Sequence, residues 1–387
     1  MRRGPLSSIK WEIINRHETR RVIVTRSLPG KRWLDILTGA RCRIEICTAG
    51  RVLSTDEIGS AIGSACDGVI GQLTEGWNEH LFSLLRGAGC RVYSNYAVGY
   101  DNVDIQAATR HGIAVGNTPG VLTDTTAEMA VALTLAAARR VAEADRFVRE
   151  GMFDGWSPTL LLGILLRRKT VGVVGCGRIG SAYARIMVGG FLMNLNYYDV
   201  RENSEIENYI TEYGKFLRRN DVRPVTFTRA GSVEEVLKMS DVVSLHASLG
   251  RDTCRMIGRK ELKIMKEDAI LVNTSRGQVV DERALAEHCR THPRFSAGLD
   301  VYEEEPRLAC GLTLLDNVTV VPHIGSATRW TREGMATLAA LNVAGILEGL
   351  PVWSDTEDIL PFLSSDPPNV APSIVNSEEL GLLCYKK

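Results

Sequence analysis

Two alternations of short apolar runs with amphipathic segments organise the chain. Between Trp11 and Val115 the runs RRVIVT, RCRIEIC, CDGVIG, CRVYSN and GIAVGN have the length and β-branched content of strands. Helix-like segments such as LFSLLRGAG lie between several of them, so a parallel sheet is predicted. GNTPG, at 116–120, interrupts the pattern and marks a crossing point between domains. A second alternation opens at Thr170. There TVGVVG, LNYYD, VTFTR, DVVSLHA, AILVNTS, SAGLDV and VTVVP read as strands in order.

Three segments depart from this rhythm. Residues 125–149 predict one long helix whose middle is apolar nearly all round, and such a helix is buried between domains or against a second subunit. Residues 200–231 form a long, charge-rich insertion, helix-like around Glu205–Arg219. Beyond a last helix at about Thr331–Leu350 comes a Pro- and Ser-rich stretch, SSDPPNVAPSIVNS, which predicts irregular backbone.

The chain's 387 residues exceed what one core usually supports, so two domains are expected. Lys+Arg 46 against Asp+Glu 46 leaves no field to attract nucleic acid or an anionic membrane. No apolar run approaches the roughly 20 residues of a membrane span. The nine cysteines form no CxxC pair, which points to reduced, mostly buried thiols rather than a disulfide framework or a metal site. The basic start (Arg2, Arg3, Lys10) reads either as a mitochondrial transit segment or as a plain irregular start, leaving a mitochondrial or a cytosolic address open. The end, LLCYKK, is not the peroxisomal Ser-Lys-Leu tripeptide.

Gly175, Gly177 and Gly180 stand in G-x-G-x-x-G spacing, after an apolar strand and at the start of a helix. In that context Gly175 permits a tight turn, Gly177 admits a pyrophosphate, and Gly180 lets the helix pack close. The helix start at Arg178 and Ile179 offers unpaired N–H groups to the phosphates. Asp199, 19 residues beyond Gly180, suits ribose hydroxyls and repels a 2′-phosphate, favouring NADH/NAD+ over NADPH, although nearby Arg201 works against that preference.

Three further stretches, LVNTSRG (271–277), GLDVYEEEP (298–306) and VPHIGSAT (321–328), each follow a strand of the same half. With the glycine loop, and with YAVGYDNVD (96–104) and GNTPGVLTDTTAE (116–128), they make the chain resemble the D-isomer-specific 2-hydroxyacid dehydrogenases over nearly its whole length. CDGVIGQLTEGW, IGSAYARIMV, WTREGMATLAALNV and the insertion after Asp199 resemble the plant-type hydroxypyruvate reductases within that family. Those enzymes act in photorespiration, convert hydroxypyruvate to D-glycerate with NADH, and also accept glyoxylate. One departure is Ser248 in HASLG, where many family members carry proline.

The resemblance implies an α/β fold of two Rossmann-like domains with a cleft between them. A flavodoxin-like substrate domain spans 1–118 and 325–387, and an NAD-binding domain spans 119–324, its helix near 125–149 packing across the two-fold of a homodimer. It also implies that Val98 and Gly99 bind the substrate carboxylate through their amides. Thr274, Ser275, Asp300, Gly325 and Ser326 are implied to contact the cofactor, Asp300 at its nicotinamide end.

Reduction of a 2-oxo acid requires a grip on the carboxylate, polarisation of the carbonyl, and a proton for its oxygen. Arg276, always charged and with a planar fork, suits the first two. His323, in PHIGSAT at the last strand's end, suits the third, because imidazole titrates near neutral pH. His246, also at a strand end near the cofactor, is its one serious rival among six other histidines. Glu305 matches the family's catalytic acid, and Pro306 restrains it to an extended direction. Glu303 and Glu304 read as solvated loop acids, and Trp156 and Trp330 as packing residues. Two other readings stay open: a dehydrogenase for another D-2-hydroxy acid, of the phosphoglycerate or D-lactate type, and an NADH-sensing binding protein of the same fold.

Overall fold

The computed structural model describes residues 9–353, 355 and 358–385. The basic start with Arg2 and Arg3, and the two lysines that close LLCYKK, lie outside the described residues. The chain divides into two units, one of 1–122 with 327–387 and one of 123–326.

The first unit is built on β1 (Trp11–Ile14), β2 (Arg20–Val24), β3 (Cys42–Cys47), β4 (Gly68–Gly71), β5 (Val92–Asn95) and β6 (Ala114–Gly116), ordered β1-β3-β2-β4-β5-β6. From β2 onward all pairs are parallel, and the order is the doubly wound one of flavodoxin-like folds. Every residue of β4, β5 and β6 is buried, so these strands read as continuous runs rather than alternations. β1 is not among the predicted strands. It is an antiparallel edge strand, with Trp11 opposite Cys47, and its four mixed residues are too few to show a period.

The closing helix, Arg329–Glu348, is buried along most of its length from Thr331 to Leu347, and it ends at Gly349, whose φ of 73° suits a left-handed cap. The Pro- and Ser-rich stretch after it is largely irregular, as its composition predicts, but parts of it are buried. Asn376 donates to Ile113 O and accepts from Val115 N, while Asn342 donates to Asn117 O and accepts from Ser373 N. These carboxamides stand in for the ladder bonds an irregular chain lacks.

The second unit carries β7 (Thr170–Val174), β8 (Asn194–Tyr198), β9 (Phe227–Arg229), β10 (Val242–Leu245), β11 (Ile270–Asn273), β12 (Ser296–Leu299) and β13 (Val318–Val320). They form one parallel sheet ordered β13-β12-β11-β10-β7-β8-β9. The chain winds outward from β7 to β9, returns, and winds the other way from β10. The crevice at that reversal, beyond the carboxyl ends of β7 and β10, is where ligands bind in such sheets.

The predicted helix at 125–149 is in fact two. Thr123–Ala138 buries its small face of Ala127, Ala130, Leu133, Thr134 and Ala137 within its own unit, and Gly298 of β12 lets Leu133 approach closely. Arg140 then takes a left-handed φ of 54°, and Val141–Arg149 leaves with no buried residue. An arginine in that conformation ends a helix whatever the pattern around it. The helix inside the 200–231 insertion runs over Ser204–Arg219, with Ile206, Ile210, Gly214 and Leu217 on its buried face.

Candidate active site

Within the second unit, the predicted groups sit just beyond the carboxyl ends of five strands. Gly175–Gly180 follows β7, Asp199 lies one residue past β8, Thr274–Arg276 follow β11, Asp300–Glu305 follow β12, and His323 follows β13. His246 follows β10.

The three glycines differ in what surrounds them. Gly175 has φ 88°, and a Cβ there would lie 2.6 Å from Ala247 N. At Gly180 a Cβ would lie 2.2 Å from Gly175 O, so only glycine brings the helix Arg178–Phe191 onto the turn. A Cβ on Gly177 would meet nothing within 4 Å, which leaves room beside the helix start. Arg178 opens that helix on the surface and Ile179 is half-buried. Across the reversal, Thr274 Oγ1 is buried without a hydrogen-bond partner among the described residues. An orphaned buried hydroxyl and an open glycine at a helix start fit a dinucleotide. Half-buried Asp199 turns one carboxylate oxygen to its own loop, accepting from Arg201 N at 3.0 Å.

Arg276 and its neighbours are shaped by Asn273, the buried last residue of β11. Its Nδ2 donates to Arg276 O at 2.9 Å, and its Oδ1 accepts from Ser275 N and Oγ. Arg276 is half-buried and donates to Ser275 O. The following residue, Gly277, touches the backbone of the acidic loop so closely that a Cβ would lie 1.8 Å from Tyr302 C. Sequence reading assigns no role to Asn273 or Gly277. An asparagine at a strand end and a glycine after arginine are the available signals, but the partner loop lies about 25 residues away in the chain and leaves no local trace.

The acidic run VYEEEP resolves into three different residues. Glu305 Oε1 accepts from Tyr302 N at 3.1 Å and Oε2 from His323 Nδ1 at 2.9 Å. Burial raises its pKa, but the His323 hydrogen bond and charge, the Tyr302 N–H and the Arg276 charge outweigh it and hold the carboxyl below the usual range. Those contacts set its direction; the peptide bond to Pro306 is cis. Glu304 is exposed and pairs with Arg307, as predicted for a loop acid. Glu303 corrects the prediction. Its side chain is largely covered, it pairs with Arg255, and its N–H donates to the buried carboxylate of Glu282, which also accepts from Ala309 N. Glu282, unnoticed in the sequence because an acid at a helix start reads as a dipole partner, ties down both ends of the acidic loop.

His323 adopts a left-handed φ of 53°, which costs roughly 1–3 kcal/mol for a residue with a side chain. Asp300 supports that turn. Its carbonyl accepts from His323 N at 2.9 Å, and its buried carboxylate accepts from Ile324 N and Gly325 N at 2.6 and 2.8 Å. Burial pushes the Asp300 carboxyl up, against those N–H groups and the His323 charge. The amide of Gly325 is thus engaged with Asp300, and half-buried Ser326 closes the unit. Because Glu305 is ionised it can only accept, so Nδ1 of His323 carries the hydrogen of this contact.

Half-buried His246 does not suit the proton-transfer role. Burial pushes its pKa down to about 3, and its Nε2 meets Ser244 Oγ at 2.9 Å while the ring packs 5.3 Å from Tyr183.

In the first unit, Val98 and Gly99 follow β5. Asn117 Nδ2 holds Val98 O at 2.8 Å and Asn95 Nδ2 holds Gly99 O at 2.9 Å, so both carbonyls are taken. The two amide N–H groups have no partner among the described residues. Adjacent free N–H groups on a pinned turn can bind an anion. Among the described residues no helix is long and apolar enough to cross a membrane, and no three His, Cys, Asp or Glu gather to hold a metal ion.

Residues 131–325 match the family model of the D-isomer specific 2-hydroxyacid dehydrogenase NAD binding domain. A glycerate dehydrogenase of Cucumis sativus is 54% identical over 96% of this chain and 98% of its own length. A glyoxylate reductase of Thermococcus litoralis is 47% identical over 72% of this chain and 80% of its own. Among solved structures, a protein of Thermus thermophilus aligns with TM-score 0.76 and 37% identity, covering 92% of this chain and 99% of that one.

Proposed function

The chain belongs to the D-isomer-specific 2-hydroxyacid dehydrogenases, NAD-binding oxidoreductases, and from that premise we propose that it reduces hydroxypyruvate to D-glycerate and glyoxylate to glycolate, with NADH preferred over NADPH. The observation that carries this reading is the His323–Glu305 pair at 2.9 Å, with Arg276 close enough to lower the Glu305 pKa.

A dihydronicotinamide held at the loop after β7 would supply hydride for the carbonyl carbon. Arg276 holds the substrate's carboxylate and carbonyl oxygens with its fork and polarises the carbonyl. Imidazolium at His323 gives its Nε2 proton to the oxygen that becomes the hydroxyl. The Glu305 carboxylate, 2.9 Å from Nδ1, fixes the orientation of the ring. The amides of Val98 and Gly99 are assigned to the substrate carboxylate. Residues Gly175–Gly180, Thr274, Ser275, Asp300, Gly325 and Ser326 line or support the dinucleotide. The Asp199 carboxylate supports a preference for a cofactor without a 2′-phosphate.

A homodimer completes the proposal. Trp156, 85% exposed, with Val148, Phe153, Leu162 and Leu165, leaves an apolar surface along 141–165 that suits a second copy of the chain. Sedimentation in solution tests this, and a monomer at micromolar concentration contradicts it.

The function is tested by following NADH and NADPH oxidation with hydroxypyruvate, glyoxylate, pyruvate and 3-phosphohydroxypyruvate. The highest kcat/KM is expected for hydroxypyruvate with NADH. NADH binding without turnover of any oxo acid supports the sensor reading instead.

A further inference from the structure

The insertion at 200–231 has no part in the reading above, yet its first helix is tied to the glycine loop by one side chain. Asn203 caps the helix Ser204–Arg219 with its Oδ1, which accepts from Ile206 N at 3.0 Å. Its Nδ2 points away from that helix. It donates to Cys176 O at 2.7 Å and to Ser181 Oγ at 2.9 Å. Ser181 Oγ in turn donates to Cys176 O at 3.1 Å, so that carbonyl, in the middle of the Gly175–Gly177 turn, is gripped from two sides.

The consequence follows from peptide geometry. The Cys176–Gly177 peptide is trans and planar, so its N–H, on Gly177, points opposite to its C=O. Fixing the carbonyl towards Asn203 therefore fixes the Gly177 N–H outward. That N–H has no partner among the described residues, and Gly177 has open space around its Cα. The clamp is held at its other end as well. Asn203 N donates to the Tyr197 hydroxyl, and Tyr197 donates to Glu207 on the same helix. Further along, Glu205 pairs with Arg185, whose guanidinium lies 4.5 Å over the Tyr209 ring. The insertion thus braces the helix that opens at Arg178.

We propose that Asn203 is a positioning residue for dinucleotide binding: its carboxamide holds the Cys176 carbonyl so that the Gly177 amide is presented to the pyrophosphate. This rests on the reading that the loop after β7 binds NADH.

The test is a fluorescence titration of NADH, and calorimetry with ADP-ribose, on the full chain and on Asn203→Ser and Asn203→Asp. Both replacements keep an oxygen that can cap the helix, so thermal stability is expected to stay near that of the parent. Both lose the Nδ2 donor, and the Kd for NADH and for ADP-ribose is expected to rise about tenfold, the effect of losing the one hydrogen bond that a misdirected Gly177 amide no longer gives the pyrophosphate. Glu205→Gln, which loosens the same helix without touching the loop, is expected to leave Kd unchanged. Parent-like Kd values in both Asn203 variants overturn the proposal, and so does a loss of thermal stability without a change in Kd, which marks a helix cap and nothing more. Failure of the parent chain to bind NADH at all counts against the dinucleotide reading instead.

Discussion

His323 Nδ1 and Glu305 Oε2 stand 2.9 Å apart across 18 residues of chain, each held from behind by a different backbone group. Tyr302 N–H fixes the carboxylate, and the carbonyl of Asp300 fixes the turn that carries the imidazole. Removing the carboxylate therefore leaves the turn that carries the imidazole in place but takes away the oxygen that orients the ring. With Glu305→Gln, kcat for oxo-acid reduction is expected to fall by about tenfold or more. Glu304→Gln, on the exposed neighbour, is expected to leave kcat unchanged. Steady-state kinetics on the two variants decides; equal behaviour refutes the distinction.

The two strand-end histidines are expected to differ in kind. His323→Ala should lower kcat by about 10²–10⁴-fold, the usual worth of a general acid. His246→Asn should keep turnover near that of the parent, because a half-buried imidazole whose pKa is pushed down to about 3 carries no proton to give at neutral pH. Steady-state kinetics on both variants checks this, and the reverse order would reassign the acid.

Two glycines invite opposite outcomes from the same methyl group. Gly277→Ala places a Cβ 1.8 Å from Tyr302 C, so the Arg276 turn and the acidic loop must part. A loss of about 1–3 kcal/mol of stability is expected, with a fall in kcat/KM. Gly177→Ala has open space and an ordinary φ of −77°, so thermal stability should hold while the Kd for NADH rises. Melting curves and NADH titrations separate the two, and a stable, fully active Gly277→Ala variant would contradict the packing argument.

His246 also links stability to pH. Its folded pKa of about 3 lies below the ordinary 6.5, so between those values the unfolded chain binds a proton that the folded chain does not. Stability is therefore full above pH 6.5 and declines as the pH falls towards 3, by about 1.4 kcal/mol per pH unit once the unfolded imidazole is protonated. His288, pushed down to about 4 by burial and by the charge of His292, adds a decline of the same sign. His246→Asn is expected to make the dependence shallower by one proton, as read from urea midpoints between pH 6.5 and 4.5. An unchanged slope would show that the imidazole is hydrated in the folded state.

Much of the architecture is legible because it rests on local rules. Buried parallel strands such as TVGVV and GVIG announce themselves as unbroken apolar runs, and G-x-G-x-x-G between strand and helix states its own backbone requirement. Arg276, His323 and Glu305 can be proposed because charge, titration range and family resemblance are properties of residue type and order. The errors fall where a single backbone angle or a distant partner decides. The helix expected at 125–149 breaks at Arg140, whose φ of 54° no hydrophobic pattern records. Glu303 and Glu304 are identical in type and adjacent, yet one is covered and tied to Arg255 and Glu282 while the other is exposed.

By itself, then, the sequence determined the parallel strands of the two large sheets, the glycine turn and the kinds of chemistry present, since periodicity and residue type act over a few residues. Only the tertiary structure decided how Glu305 and His323 are held against each other and that Glu303 is covered while Glu304 is exposed. It also decided that Asn273, Gly277, Glu282 and Asp300 hold the working groups in place. Those outcomes depend on hydrogen bonds, close backbone approach and desolvation between segments far apart in the chain, and these exist only once the chain has folded.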